Sequence, residues 1–299
     1  MLNPTPGLSQ FDYVKPGSLQ EASRFLAEHA GEARPFLGGT DTFVRLRDGV
    51  WRDKYLVDVK GFAGMNMISF DPDEGLIIGA AVNMNRVIAD TAVNTHYPVL
   101  AQASRTVASH QLRSRATIVG NICNASPAGD TIGACIVLGG RLQVHGVDGE
   151  REEPLAGFFL GPGKSVLNPG DVVTAVKFPT PPAKYAARYI KLGRNAVGDL
   201  AIVGVTALCY KNGSTPSGYR VLLALTSVAP IPFVPVAAEA VLAQNLINSE
   251  TIAWAAEAAM NSCDPISDTR GSARYRKLMV RNLVKQAVTA VWEEVQNRG

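Results

Sequence analysis

Residues 116–134, ATIVGNICNASPAGDTIGA, decide how this chain is read. Three glycines, two asparagines, a proline and a single acid are spread among short apolar pairs. The stretch is too broken for a helix or a long strand, and too apolar for a solvated linker. Asn121, Asn124, Ser126 and Asp130 place short polar side chains among glycines, and Gly120 lets a ligand come close to the backbone. Two readings stand at this point: one side of the seat of a large ligand, or a convoluted loop whose polar groups bond one another.

Upstream, "LGGTD" (37–41) lies between a strand-like run and the start of a short helix, with Thr40 and Asp41 as cap candidates. Such a glycine pair exposes backbone N–H groups that suit a phosphate, although a plain strand-to-helix turn uses the same residues. A helix opens at Ser18, with Glu21 at capping-box spacing and Gly31 as its stop. With "YLVDVK" (55–60) as the next strand, the N-terminal part reads as a βαβ unit with a parallel pair. From 65 the texture turns antiparallel. One hairpin is expected around D-P-D-E-G, helices near 84–90 and 96–109, and a second hairpin turning at Asp148-Gly149. "FPTPPAKY" (178–185) carries three prolines and marks a domain joint. Strands over 186–193, 200–210 and 217–228 follow, then helices over 236–245, 249–261 and 272–296. The whole is an α+β chain of 299 residues, long enough for two domains with real cores.

Composition narrows the function. Hydrophobic residues are 46% and charged residues 18%, and the mild apolar excess fits either a large subunit interface or simply many alanines. Net charge is +3 with no basic block, which gives no reason to expect nucleic acid as a partner. No apolar run approaches a membrane span, and the N-terminus has no signal-peptide pattern. Cys123, Cys135, Cys209 and Cys263 form no CxxC pair and read as buried free thiols of a reducing cytoplasm, so no metal site is expected. There is no G-x-G-x-x-G after a strand. "GFFLGPGKS" (157–165) is one residue too long for a P-loop and is followed by "VLNPGD", which is no helix. No histidine constellation, nucleophile elbow or acid/base pair stands out, so no catalytic residue is expected and a bound cofactor is left as the carrier of any chemistry.

Five stretches in order then resemble one family, the medium, FAD-binding subunits of molybdenum hydroxylases of the carbon monoxide dehydrogenase and xanthine dehydrogenase type. They are "LGGTD", 109–130 (SHQLRSRATIVGNICNASPAGD), 158–179 (FFLGPGKSVLNPGDVVTAVKFP), 189–204 (YIKLGRNAVGDLAIVG) and 267–284 (SDTRGSARYRKLMVRNLV). The resemblance implies a vanillyl-alcohol-oxidase (PCMH)-type FAD-binding domain over 1–177, with α+β subdomains at about 1–60 and 61–177, and a smaller α+β C-terminal domain over 178–299. It implies that Leu37, Gly38, Gly39, Thr40 and Asp41 wrap the FAD diphosphate, so that a side chain on Gly39 would stand where the diphosphate lies. Ala108, Thr117, Gly120, Asn121 and Asn124 would continue the cradle, Asp130 would hold the adenosine ribose, and Val173 and Lys191 would lie near the flavin and adenine. Where the family has T-I-G-G, this chain has Thr117-Ile118-Val119-Gly120, and valine is a poor occupant if the position needs positive φ.

The implied role is electron relay. A large subunit with molybdopterin cofactor oxidises the substrate, and a small subunit with two [2Fe–2S] clusters passes electrons to FAD on this chain. NAD, a quinone or oxygen takes them on, in a complex that is typically a dimer of heterotrimers. Two other classes fit the residues less fully: a self-sufficient flavin oxidase or dehydrogenase of the same fold, and a scaffold subunit with a degenerate flavin site.

Overall fold

A computed structural model describes Leu8, residues 10–195 and residues 198–298. Part of the N-terminal stretch read for a signal peptide, and two residues of the 189–204 motif, lie outside the described residues. Strand β1 (Asp12–Val14), helix α1 (Leu19–Glu28), β2 (Ala33–Phe36), α2 (Thr42–Arg47) and β3 (Tyr55–Asp58) form the first unit. Its sheet has the order β1-β3-β2 and is parallel throughout, as the βαβ reading requires. Ser18 caps α1 by accepting from the Glu21 N–H at 3.1 Å. The reciprocal half of the expected box is displaced by one residue, because the Glu21 carboxylate accepts from Gly17 rather than Ser18.

The second unit holds β4 (Ile68–Asp71), β5 (Gly75–Gly79), α3 (Met84–Ala89), α4 (Thr91–His96), α5 (Pro98–Arg105), α6 (His110–Arg113), α7 (Ile118–Cys123), α8 (Ile132–Val137), β6 (Arg141–Gly146), β7 (Gly149–Pro154), a small β8–β9 hairpin (Phe159–Gly161, Lys164–Ser165) and β10 (Val172–Phe178). Strands β4-β5-β10-β6-β7 make one antiparallel sheet. Three expectations are corrected here. The helix expected over 96–109 is the shorter α5, which starts at Pro98 and ends at Arg105, and a separate helix, α4, precedes it. The β6–β7 turn is Val147-Asp148, one residue earlier than expected, since Gly146 already pairs with Gly149. The stretch judged too broken for a helix contains two, α7 and α8. The Thr117 hydroxyl caps α7, and the burial of Ile118, Val119 and Ile122 outweighs the weak propensity of glycine and asparagine.

The C-terminal part has β11 (Ala186–Leu192), β12 (Val203–Lys211) and β13 (Tyr219–Thr226), followed by α9 (Val236–Gln244), α10 (Ser249–Asn261) and α11 (Ala273–Asn297). Its antiparallel sheet is covered on both faces, which explains the unbroken burial along most of β12. Val203, Val205, Ala207 and Cys209 face a core shared with Ala255, Val284 and Val288 of the C-terminal helices. On the other face, Tyr189, Leu208 and Ala224 join the large core of the second unit. Helix α8 lies against this face with Gly133 close to Thr206, where an added Cβ would stand 2.5 Å from the hydroxyl. The proline segment between the two parts is tied down as well. Tyr97 donates to the Pro179 carbonyl at 3.1 Å and Tyr185 to that of His96 at 2.7 Å.

Candidate functional site

The two stretches singled out in the sequence meet across one cleft of about 600 Å³, within the range of cofactor sites. Leu37 through Asp41 form one jaw, and Thr117, Gly120, Asn121 and Asn124 the other, with Val173 between them on β10. The jaws touch. A Cβ on Gly38 would lie 2.2 Å from the Arg115 carbonyl oxygen and 3.4 Å from Ala116 Cα, so only glycine lets the two backbones abut. Gly39 has φ +74 and its missing Cβ points at the Phe36 ring, 2.7 Å away, rather than into the cleft. A side chain there distorts the turn from behind, which corrects the expectation that it would occupy the diphosphate position. Asp41 stands at the N-cap of α2, yet neither it nor Thr40 caps the helix through its side chain.

On the second jaw, Gly120 is the reverse case. Apart from the Thr117 hydroxyl at 3.0 Å, its two chain neighbours and its own helix backbone, nothing among the described residues lies within 4 Å of an added Cβ. The side of α7 that lines the cleft is therefore kept bare at this point. Asn121 accepts from Thr131 through Oδ1, which turns its amide by contact with the next helix. Asn124 lines the cleft with its Oδ1 buried and without any hydrogen-bond partner among the described residues. A buried acceptor left open costs about 1–3 kcal/mol, so a ligand donor is the natural completion of this site. Val119 also lines the cleft, fully buried, with helical backbone; it is not among the positive-φ residues, so the valine here carries no left-handed strain.

Three of the expected residues are not in the cleft lining: Ala108, Asp130 and Lys191. Val107, its neighbour, lines the cleft instead of Ala108, which has φ +41 and turns the chain away. Asp130 is buried and spends both oxygens inside the protein, one on the Tyr189 hydroxyl at 2.7 Å and one on Lys191 Nζ at 2.8 Å. Burial pushes its carboxyl above the usual carboxylate range, and Lys191 and Tyr189 pull it part of the way back. Lys191 also donates to the Thr106 carbonyl at 3.1 Å, while Arg113 donates to those of Val107 and Ala108. The strained turn forming the cleft wall at Val107 is thus held from behind by two cations. Sequence reasoning missed Arg34, Trp51, Val107 and the β8–β9 hairpin, whose Leu160, Lys164 and Ser165 overhang the cleft. Of these, only the hairpin gave a signal in the sequence, as a rejected P-loop and then within the 158–179 stretch that resembles the family. Cys123 lines the cleft too, but burial lifts its thiol to about 12, so it stays protonated and is no nucleophile.

Comparison with known proteins agrees with this geometry. Residues 9–181 match the family model described as FAD binding domain in molybdopterin dehydrogenase, and residues 188–291 match the CO dehydrogenase flavoprotein C-terminal domain. The carbon monoxide dehydrogenase medium chain of Hydrogenophaga pseudoflava is 30% identical, with 95% of this chain and 97% of that protein covered. The xanthine dehydrogenase FAD-binding subunit of Escherichia coli O157:H7 is 28% identical over 93% of this chain and 94% of its own. A solved structure of the Hydrogenophaga carbon monoxide dehydrogenase superposes with a TM-score of 0.91, at 30% identity, covering 96% of this chain and 99% of the other. Quinoline 2-oxidoreductase from Pseudomonas putida 86 superposes with a TM-score of 0.86, at 25% identity over 97% and 99% of the two chains.

Proposed function

Because the chain belongs to the family of FAD-binding medium subunits of molybdenum hydroxylases, with the PCMH-type fold and C-terminal domain of its relatives, we propose that it relays electrons, through FAD held in the cleft between its two jaws, from [2Fe–2S] clusters of a small partner subunit to an external acceptor. The large partner subunit carries the molybdopterin cofactor and performs the substrate oxidation. The observation that carries the FAD assignment is the pairing of a bare helix face at Gly120 with the open Asn124 acceptor, opposite a glycine turn.

The residues of this chain bind and orient. Backbone N–H groups of the 37–41 turn would hold the diphosphate, and Val119 and Val173, which line the cleft, would offer apolar walls to the ring system. FAD in this position supplies a two-electron store between one-electron donors and an acceptor such as NAD, a quinone or oxygen. Asp130 and Lys191 belong to this site as its support: they fix the Thr106–Ala108 wall and join it to β11. The assembly in this reading is a dimer of heterotrimers working in the cytoplasm; its multi-subunit character is supported by relatives named as medium chains and as an FAD-binding subunit.

The test is co-purification from the native host. The chain is expected to carry flavin absorbance and to elute with two further subunits containing molybdenum and iron. Adding the substrate of the complex should bleach the flavin, and adding the acceptor should restore it. A colourless chain that binds no added FAD sinks the assignment, whereas a flavin-loaded chain eluting alone and oxidising its own substrate replaces relay with a self-sufficient oxidase.

A further inference from the structure

One end of the cleft is closed by a cation that the flavin motifs do not include. Arg34, on β2, and Trp51, in the connection from α2 to β3, both line it. The Arg34 guanidinium lies 3.6 Å from the centre of the Trp51 ring. Its Nε donates to Asp53 Oδ2 at 2.9 Å, and the Asp53 side chain is only 7% exposed. An exposed arginine on a strand ordinarily moves among many rotamers. This one is held flat on one face by an indole and along one edge by a buried carboxylate. Neither Nη1 nor Nη2 has a hydrogen-bond partner among the described residues, so the fork that suits a phosphate is left open.

The charge around it is arranged to match. Arg34 and Lys164 are the cationic side chains among the residues lining the cleft. Lys164 is exposed on the β8–β9 hairpin with no ion pair among the described residues, and so supplies no fixed charge. Of the two acids in the lining, Asp171 is already neutralised by a two-point pair with Arg151, at 2.8 and 2.6 Å, while Asp41 in the glycine turn has no ion pair among the described residues and burial pushes its carboxyl above the usual range. The glycine turn offers only partial charges to a diphosphate; Arg34 shares its charge with Asp53, but its open Nη edge adds directed, charge-assisted donors beside that turn.

We propose that Arg34 is the anion anchor of the cleft, its Nη edge taking oxygens of the bound dinucleotide's diphosphate, with Asp53 and Trp51 as the positioning residues that hold it there. The proposal rests on the FAD reading above and adds to it a specific charge partner outside the glycine motifs.

Ligand fragments separate this role from a structural one. On the flavin-free full chain, ADP and riboflavin are titrated separately, the first carrying the diphosphate and the second none. Arg34→Gln should raise the Kd for ADP and for FAD about tenfold to a hundredfold, the scale of a lost charge-assisted pair, and leave riboflavin within about twofold. Arg34→Lys should fall between, since it keeps charge but loses the fork and the stacking plane. Asp53→Asn keeps Arg34 and frees it, so ADP should weaken by a few-fold with riboflavin unchanged; this variant carries the test if Arg34→Gln does not fold. Unchanged ADP affinity in these variants overturns the anchor, and so does an equal loss of ADP and riboflavin, which marks a merely structural pair. A parent chain that binds neither FAD nor ADP overturns the flavin reading itself, and the anchor with it.

Discussion

The two jaws of the cleft are built on opposite principles. The first jaw, Leu37 to Asp41, hangs from a small parallel sheet whose own core is Phe36, Leu46 and Leu56, with Phe11 and Trp51 partly buried against it. Leu37 and the Val57 side of the sheet reach the main core, and the rest of the turn depends on smaller devices: the Arg34–Trp51 stack, the Tyr13–Asp58–Lys60 cluster and the T-shaped Phe36–Phe43 pair. The second jaw is sunk in the main core. Ile118, Val119 and Ile122 are buried there, and the wall beside it is braced across to the C-terminal sheet by Asp130, Tyr189 and Lys191. Few buried contacts imply low local opening free energy. The first jaw is thus the one that adapts to a ligand, and the second the one that sets its position. Hydrogen exchange should show this directly, with amides of 37–47 exchanging faster than those of 118–123 and gaining more protection when FAD binds.

The largest test of the comparison removes the brace. Lys191→Met leaves Asp130 buried without its cation, and breaking a buried pair in this way costs about 3–5 kcal/mol. Its pH dependence has a definite sign. Without Lys191 the folded-state carboxyl of Asp130 titrates still higher above its unfolded value, so the folded chain binds the extra proton. Stability then falls as pH rises from about 4 through the raised value, and the deficit relative to the parent should be smaller near pH 5 than near pH 8. Denaturant melts at the two pH values check it; a deficit independent of pH would mean that the brace acts by packing alone.

A second test acts where the jaws touch. Gly38→Ala places a methyl group 2.2 Å from the Arg115 carbonyl oxygen, a backbone atom that cannot swing away. The softer jaw should yield, with a loss of about 1–3 kcal/mol on the scale of overpacking and a weaker hold on FAD. Crystals of the variant showing 115–116 displaced, with 37–41 in place, would reverse the assignment of rigid and adaptable jaws.

What the sequence shows and hides follows the same division. Long periodic segments such as the 249–261 helix were legible because their caps and apolar faces lie within a few residues of one another. Helix α7 was not, because six residues with a glycine and an asparagine have little intrinsic tendency, and only burial of Ile118, Val119 and Ile122 forms it. In the site, glycines gave away both jaws. Arg34 gave nothing, since an arginine in a short strand looks like solvated charge until Trp51 and Asp53 are folded onto it. The Asp130–Lys191 pair spans 61 residues and no local pattern records it, so neither the pairing nor its hold on the Thr106 carbonyl was legible. Val107 was missed by one position because the left-handed turn at Ala108 reverses which neighbour faces the cleft.

The smallest effect on folding gives the finest discrimination between the jaws. Gly120→Ala adds a methyl group on the bare side of α7, where the Thr117 hydroxyl at 3.0 Å is the one side-chain neighbour. Replacing glycine inside a helix gains up to about 1 kcal/mol, and crowding the capping hydroxyl takes back part of it. The flavin-free variant should therefore melt within about 1 kcal/mol of the parent, on the scale of that propensity difference. FAD affinity should nonetheless fall, because the rigid jaw cannot retreat from a ligand seated against α7. Affinity equal to the parent's would place the ligand away from this helix and leave the first jaw alone to hold it. A lower affinity at nearly unchanged stability separates the two functions of this glycine, since among the described residues the Thr117 hydroxyl is the one group found crowding the space that a methyl group would fill.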